Sequence, residues 1–545
     1  MQTVSDNWKS THEKALLNES FVEVSFNITD PDASKAATSR DNGASYISDS
    51  SLVAGGEHTS PSPYCTLEQN LWCLDGKREA IPESENADNG YVSDVLSDDT
   101  CLFSSRLPII TLDFGEVFTN LIPGLTITWS ETYAEFADTF EVIAYNGETV
   151  VAKKEVTQNR SVKTIALVEM INYDRIEIVV KKWCLPNHRA RIEGIGVCLD
   201  KVYGKAELFS YSHSQSVDPL SLALPKGEIK FSIDNTNGEY NPYNTTGLTK
   251  YLIEKQEVNV RYGLKMDDGS IEWVKGGTFY LSEWYAKQNS LTAEFTARDI
   301  FELLSDIYYD DDFVANMDDI QESPRSYYEL AYNVLSSANL PVNSDGSPKW
   351  LIDEDLRYLS TKNALPQDTR ANCLQLIANA TRRVMYQDKD GILRIEPFVS
   401  KDTDYRIDSF NSYSKPEVVL SKPIKQIDIN VYSSYVDYVD GKGYPEYKLR
   451  EVASLKVGES GDVILLDNPL FCDRSQALAY AMWLSEQLSF KSRMTLDLSW
   501  RPDVRLEPLD MVTNSSEHNT SKVLMTDIEY KFNGAFRATG KGKVI

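Results

Sequence analysis

Three short acidic clusters carry the side chains in this sequence that are best suited to hold a cation or to act as paired acid–base groups. They are Asp310-Asp311-Asp312, Asp318-Asp319 and Asp353-Glu354-Asp355. Either chemistry needs carboxylates that converge in one pocket. Because adjacent residues of a strand or loop point in different directions, we interpret these clusters as solvated acidic surface.

Other spacings that mark catalytic or metal sites are missing from the sequence. The five histidines include no HExxH pair, and the seven cysteines include no CxxC pair. No GxxxxGKS/T, GxGxxG or GxSxG motif is present to cradle a phosphate or to present a nucleophile. A Ser–His–Asp triad is spatial and leaves no sequence spacing, but nothing local supports one. We therefore predict that the chain is not an enzyme and needs no cofactor for its role.

Aromatic and polar residues between positions 129 and 189 form a candidate carbohydrate site. Trp129, Tyr133 and Trp183 lie near predicted loops or strand ends, and His188 and Arg189 follow closely. Sugars have apolar faces rimmed with hydroxyls, so an aromatic plate beside polar groups suits them. The alternative interpretation is that both tryptophans belong to the core.

Composition and charge limit the class of protein. The chain has 545 residues, 41% hydrophobic, and its 82 acidic and 55 basic residues give a net charge of −27. A chain of this length is too long to form a single hydrophobic core, so several domains are expected. Its negative charge disfavours binding to nucleic acid or to an anionic membrane. No apolar run is long enough for a transmembrane helix, and the polar segment Met1–Glu19 lacks the features of a secretory signal. We expect synthesis in a reducing cytosol.

The pattern of apolar residues predicts a mainly β chain. Its strands and loops must position the acidic clusters and the candidate carbohydrate site. Alternation predicts a strand at Phe21–Ile28, many short strands between 64 and 199, and a second β block over 205–299. Helices are expected only after residue 300, the first starting at Ser323-Pro324 and the last at Ser475–Leu488. From about residue 400 the pattern is β again.

One part of this β pattern resembles discoidin-type, galactose-binding-like jelly rolls. The resemblance covers roughly residues 45–200, and these segments carry it: Leu74-Asp75-Gly76, 124–129, 140–147, 173–178 and 190–195. It implies a β-sandwich that binds ligands, often sugars, through loops at one end. Some members of that family hold a calcium ion near an early loop, which makes Asp75 a candidate calcium site.

The remainder resembles tail-hub proteins of bacteriophages that infect Gram-positive bacteria, a fold shared with hubs of contractile injection systems. The segments that carry this resemblance are 231–235, 240–242, 247–248, 260–263, 277–284, 295–299, 386–397 and 500–510, although Val504 stands where proline is expected. It implies two β-barrels flanking a small α/β domain, and three chains forming a ring of six barrels that caps the tail tube.

Together these resemblances predict five segments: the first part of the first hub barrel (1–45), a discoidin-like β-sandwich insert (46–200), the rest of that barrel (201–300), a small α/β domain (301–398), and a second barrel with one helix (399–545). The predicted function is a structural tail hub that adapts a sixfold tube to a threefold tip. Its insert would bind a surface sugar or dock a neighbouring tail protein.

The predicted location is the tail tip or baseplate of a virion, or of a tailocin particle, assembled in the cytoplasm of the bacterial host. The predicted partners are two further copies of the chain, the tail tube or distal tail protein, tip, fibre or spike proteins, and a host cell-surface glycan, with only passive passage of DNA. A carbohydrate-binding adhesin and a glycoside hydrolase with an accessory module are the alternatives. The missing secretory signal argues against the first, and the absence of a repeated βα pattern argues against the second.

Overall fold

A computed structural model gives the structure of the chain, which forms two compact units. Unit 1 comprises Met1–Ser25 and Val202–Ile545, and unit 2 comprises Phe26–Lys201. The architecture is mainly β and multidomain, which confirms the predicted fold class. The structure describes residues 2–14, 18–29, 33, 36–45, 47–54, 89–119, 122–241, 243–244, 252, 254–287, 290–343, 346–440, 442–488, 493–515 and 520–545.

Unit 1 is built around a 13-stranded sheet that contains two sets of six strands. The sets come from residues 20–298 and 401–544, and Cys198–Tyr203 is the thirteenth strand. Side-chain alternation explains these strands, since Ile229, Phe231 and Ile233 are buried between more exposed neighbours. In sheet order the strands are Cys198–Tyr203, Ser20–Thr29, Glu257–Lys265, Ile271–Tyr285, Thr292–Arg298, Lys226–Asp234, Leu208–Ser216, Thr520–Phe532, Phe536–Val544, Met494–Trp500 and Glu417–Leu420, while Asp510–Ser515 pairs with Thr520–Phe532 and with Lys401–Ile407.

Among the described residues, one strand pair joins the two sets. Leu208–Ser216 runs antiparallel to Thr520–Phe532, with Tyr211 opposite Phe532. His213 is fully buried here, and its Nδ1 lies 2.8 Å from the hydroxyl oxygen of Tyr262. Burial lowers the pKa of His213 to about 3. The ring is therefore neutral at pH 7 and packs as a core aromatic group.

Three helices of unit 1, Tyr327–Ser336, Arg370–Ala380 and Arg474–Gln487, share a separate core with a small three-stranded sheet. Leu330 and Val334 of one helix and Ile427 and Ile429 of the sheet are fully buried in this core. Residues 424–488, which are predicted to be part of the second barrel, thus pack with residues 300–395. The sheet strands are Ile424–Val439, Lys442–Lys456 and Asp462–Leu466, and a second sheet contains Trp350–Ile352, Leu393–Pro397 and Arg383–Gln387.

Local capping sets where the helices begin. The predicted start at Ser323-Pro324 is wrong, because Ser326 is the N-cap, with its Oγ accepting the Glu329 amide at 3.1 Å. Ser323 instead ends the preceding helix. Helical residues also precede residue 300, against expectation, and Asp6–His12 is one such helix. The helices whose bounds lie in the described part of the chain are Asp6–His12, Asp311–Glu322, Tyr327–Ser336, Arg370–Ala380 and Arg474–Gln487, and the corresponding 3-10 helices are Ser50–Val53, Ile300–Leu304 and Glu354–Tyr358.

Unit 2 is a β-sandwich. Its larger sheet contributes Leu112 and Ile178, and its smaller sheet contributes Leu125 and Ile195, to one buried core. The larger sheet contains Thr38–Asp41, Ile109–Phe118, Tyr173–Trp183, Ala137–Asn146 and Thr149–Val156; the smaller contains Gly194–Gly196, Ile122–Thr128 and Lys163–Met170; and Tyr91–Leu96 pairs with Arg189–Ile192. Among the residues that the structure describes in both units, no helix has the length and hydropathy of a membrane span.

Four two-residue strands also belong to the described part of unit 1. Ile307–Tyr308 pairs with Asp368–Thr369, and Arg325–Ser326 pairs with Ser360–Thr361. The second pair ends at the N-cap of the helix Tyr327–Ser336, so it fixes the point from which that helix starts.

Candidate functional site

The two tryptophans of the candidate carbohydrate site lie in the core of unit 2. Trp129 and Trp183 are both 0% exposed, and their rings meet edge to face with centroids 6.0 Å apart. The Trp129 Nε1 donates a hydrogen bond to the Thr164 Oγ1 at 2.8 Å. Because neither ring face reaches solvent, neither can serve as a plate for a sugar, and the alternative of core packing holds for both.

A buried carboxylate explains why Trp183 and His188 lie together. Glu135 accepts a hydrogen bond from the Trp183 Nε1 at 2.8 Å, and its other oxygen lies 2.9 Å from the His188 Nδ1. Glu135 is 1% exposed and His188 is 3% exposed. The arrangement ties the end of one strand to the following loop. Glu135 was not predicted, since a single Glu in a polar turn carries no spacing signal.

The other two residues of the candidate site, Tyr133 and Arg189, are half-buried and face different partners. Arg189 donates to the main-chain oxygens of Ser93 and Asp94, at 2.9 and 2.7 Å. The Arg191 guanidinium carbon lies 5.0 Å from the ring centroid of Tyr133. The five predicted residues therefore form no aromatic plate. Asp75 lies outside the described residues, and the described residues contain no group of three side chains suited to hold a metal ion.

One member of the acidic cluster at 310–312, Asp310, is buried and holds neighbouring segments together. The carboxylate of Asp310 binds the Arg325 guanidinium through two hydrogen bonds of 2.7 and 2.8 Å. It also accepts the amides of Phe313 and Leu365, at 3.2 and 2.9 Å. The interpretation as solvated surface is wrong for Asp310, because these four donors hold it inside the protein. Asp312 completes the ion pair from a half-exposed position.

Titratable side chains collect where three segments of unit 1 meet. Lys389 donates to the Val504 main-chain oxygen at 2.7 Å, and its Nζ lies 3.8 Å from a Glu507 carboxylate oxygen. Asp299 lines the same small cavity of about 20 Å³ together with Gln387. Burial lowers the pKa of Lys389, raises the pKa of Glu507, and raises the pKa of Asp299 to about 8. The last carboxyl is therefore largely protonated at neutral pH.

The terminal strand Glu417–Leu420 exposes an apolar edge of the large sheet. Val418, Val419 and Leu420 are 59%, 46% and 54% exposed. Within the described part of the chain, this strand pairs on one side only, with Met494–Trp500. A groove of about 500 Å³ beside it is lined by Tyr413, Pro416, Val418, Met494, Leu496 and Val544, among others. An exposed apolar edge of this kind favours pairing with another chain.

Comparisons with known proteins found no matching family model and no matching curated protein. Among solved structures, a 43 kDa tail protein of prophage MuSo2 from Shewanella oneidensis is similar, with a TM-score of 0.41 and 12% identity over 63% of this chain and 95% of that chain. A tail protein from Neisseria meningitidis MC58 gives 0.39 and 11% over 63% and 93%, respectively. Prophage tail protein gp18 from Listeria monocytogenes EGD-e gives 0.37 and 12% over 63% and 91%. At these identities and TM-scores, the likeness assigns neither a family nor a function.

Proposed function

We propose that this chain is a structural hub protein at the tip or baseplate of a phage tail or phage-like particle. The observation that carries the proposal is the large sheet of unit 1, in which two sets of six strands lie side by side through one strand pair. Two barrel-like halves in one chain are what the resemblance to tail hubs implies. The proposed role involves no catalysis by this chain.

A homotrimer is the proposed assembly. Three chains would supply six such halves to a sixfold tube while presenting threefold symmetry at the tip. The exposed edge at Glu417–Leu420 supports association, because a closed ring satisfies strand edges that are otherwise prone to aggregation. The proposed partners beyond the trimer are the tube or distal tail protein above it and tip, fibre or spike proteins below it.

Light scattering on the purified full chain tests the assembly. The expected mass is about three times 61.6 kDa, at high concentration or with the tube protein present. Cryo-electron microscopy of the intact particle then locates the chain. A stable monomer that is absent from the tail tip would contradict the proposal.

For unit 2 we propose a discoidin-like module that docks a neighbouring tail protein, in preference to binding a surface sugar. The burial of Trp129 and Trp183 supports docking, because it removes the aromatic plate. A glycan array probed with the full chain distinguishes the two roles. Silence of the array favours docking, whereas binding that a Tyr133→Ala substitution abolishes would overturn this preference.

A further inference from the structure

Four side chains form a continuous row on the surface of the α/β region of unit 1. The Arg357 guanidinium carbon lies 3.5 Å from the ring centroid of Tyr328. Tyr328 stacks on Tyr332, with centroids 6.5 Å apart and planes at 15°. Tyr332 then meets Trp350 edge to face at 5.7 Å. We call this row, Arg357–Tyr328–Tyr332–Trp350, the aromatic ladder.

The aromatic ladder is accessible from solvent at Tyr332 and Arg357, whereas Tyr328 and Trp350 are half-buried against the core. Tyr332 is 46% exposed, and the neighbours of Arg357 and Trp350 in the chain, Tyr358 and Leu351, are 86% and 48% exposed. Tyrosine, tryptophan and arginine are the residues most enriched at the centres of protein interfaces. A surface of this composition is therefore suited to bind a protein segment.

Charge around the ladder is predominantly negative. Glu354 pairs with Arg357, whereas the carboxylates of Glu329 and Asp355 have no ion pair within the residues that the structure describes. Glu329 lies three positions before Tyr332 on the same helix, so the two side chains are neighbours on its surface. The ladder thus offers an aromatic ring beside an unpaired carboxylate.

The pair of Arg357 and Tyr328 shows what such an arrangement binds. There a guanidinium lies on a ring and is paired to the carboxylate of Glu354. Guanidinium groups favour this combination because they are planar, weakly hydrated and able to bind carboxylates through several donors. The exposed part of Tyr332 and the neighbouring Glu329 offer a ring and a carboxylate, and no cation pairs with that carboxylate among the described residues.

We infer that the aromatic ladder docks an arginine-bearing segment of a partner protein, with the incoming guanidinium against Tyr332 and paired to Glu329. This goes beyond the proposed hub role and does not depend on it, since it follows from the surface chemistry of the α/β region alone. A lysine offers a compact, strongly hydrated charge and fits a ring face less well. A neutral glycan does not compensate the free carboxylates.

Fluorescence anisotropy with the full chain tests the inference. The probes are labelled 12-residue Gly-rich peptides that carry three arginines, three lysines or three citrullines. The arginine peptide is expected to bind at least fivefold more tightly than the lysine peptide and at least tenfold more tightly than the citrulline peptide. Tyr332→Ala and Glu329→Gln should each weaken binding of the arginine peptide at least fivefold.

Two matched variants separate docking from general attraction to an acidic protein. Tyr332→Phe retains the ring and should keep binding within twofold. Tyr243→Ala removes a tyrosine that is 80% exposed elsewhere in unit 1 and should leave the affinity for the arginine peptide unchanged.

Equal affinity for the arginine and lysine peptides would overturn the inference. A loss of affinity in Tyr243→Ala equal to that in Tyr332→Ala would overturn it as well. Glycan binding that Tyr332→Ala abolishes would also overturn it and identify a sugar platform. If Tyr332→Ala fails to fold, Glu329→Gln decides.

Discussion

Arg325 and Asp310 form a bidentate ion pair whose side chains are only 5% and 0% exposed. A pair of this kind is costly to break, because the remaining charge stays buried without a partner. The pair also links two elements, since Asp310 caps the helix Asp311–Glu322 and Arg325 lies in the short strand that follows it.

Replacing Arg325 with Ala should lower the free energy of unfolding of unit 1 by about 3–5 kcal/mol. Urea denaturation followed by circular dichroism measures the change. Arg474→Ala is the control, because Arg474 and Glu451 form an exposed pair and its loss should cost less than about 1 kcal/mol. Equal effects of the two substitutions would show that the buried pair has no special role.

The buried carboxyl of Asp299 predicts a loss of stability as pH rises. Burial raises its pKa from 3.8 to about 8 in the folded chain. Between these two values the folded state holds a proton that the unfolded state releases, so raising the pH disfavours folding. Stability of unit 1 should therefore fall by about 2–4 kcal/mol from pH 5 to pH 8.

Asp299→Asn provides the control for this pH dependence. Asparagine is neutral at every pH and can still cap the short helix Ile300–Leu304. Urea denaturation at pH 5, 6.5 and 8 should give a flatter profile for the variant than for the natural chain. Parallel profiles would mean that Asp299 is ionised in the folded protein.

Trp183→Ala should destabilise unit 2 by about 3–5 kcal/mol, because it removes a buried ring and leaves Glu135 without one of its donors. Differential scanning calorimetry of the full chain measures this as a lower melting temperature. Tyr133→Ala, at a half-buried position, should shift the melting temperature far less. An unchanged melting temperature for Trp183→Ala would instead fit a tryptophan that is placed to bind ligand.

Charges placed on the exposed edge should prevent self-association. In Val418→Lys/Leu420→Lys, the lysines are expected to reduce the mass from light scattering to that of one chain, since edge lysines oppose strand pairing. The melting temperature measured at a dilution where the natural chain is also a monomer should stay the same, because both side chains are exposed. Val150→Lys, which alters an exposed valine of unit 2, should leave the oligomer intact. Persistence of the oligomer in the double variant would place the interface elsewhere.

Local strand patterns were predictable from the sequence, whereas their long-range pairing was not. The strand predicted at Phe21–Ile28 is present as Ser20–Thr29, because alternation alone marks a half-buried strand. The pairing of Leu208–Ser216 with Thr520–Phe532 joins segments about 300 residues apart, and no local pattern encodes such a partner. The domain boundaries derived from the resemblances stay predictions.

The aromatic ladder was missed because the buried face of the helix Tyr327–Ser336 differs from the face that the spacing predicts. Spacing predicts Tyr328, Ala331, Leu335 and Ala338 as one face of a helix. The buried residues are Tyr327, Leu330, Ala331, Val334 and Leu335, so Tyr328 turns to the half-exposed side. The helix also begins later than predicted, because its N-cap is Ser326 and not Ser323. Glu135 was missed for a different reason, since its role depends on partners about 50 residues away.

The neighbouring strands Ser20–Thr29 and Cys198–Tyr203 give the chain a natural point for evolutionary exchange. Adjacent strands lie only about 5 Å apart, so any folded body whose two ends meet at that spacing fits between them without altering the strand order of the large sheet. Recombination at this position can replace one cassette with another while the rest of unit 1 is inherited unchanged. Related genes are therefore expected to vary most in length and sequence between these two strands.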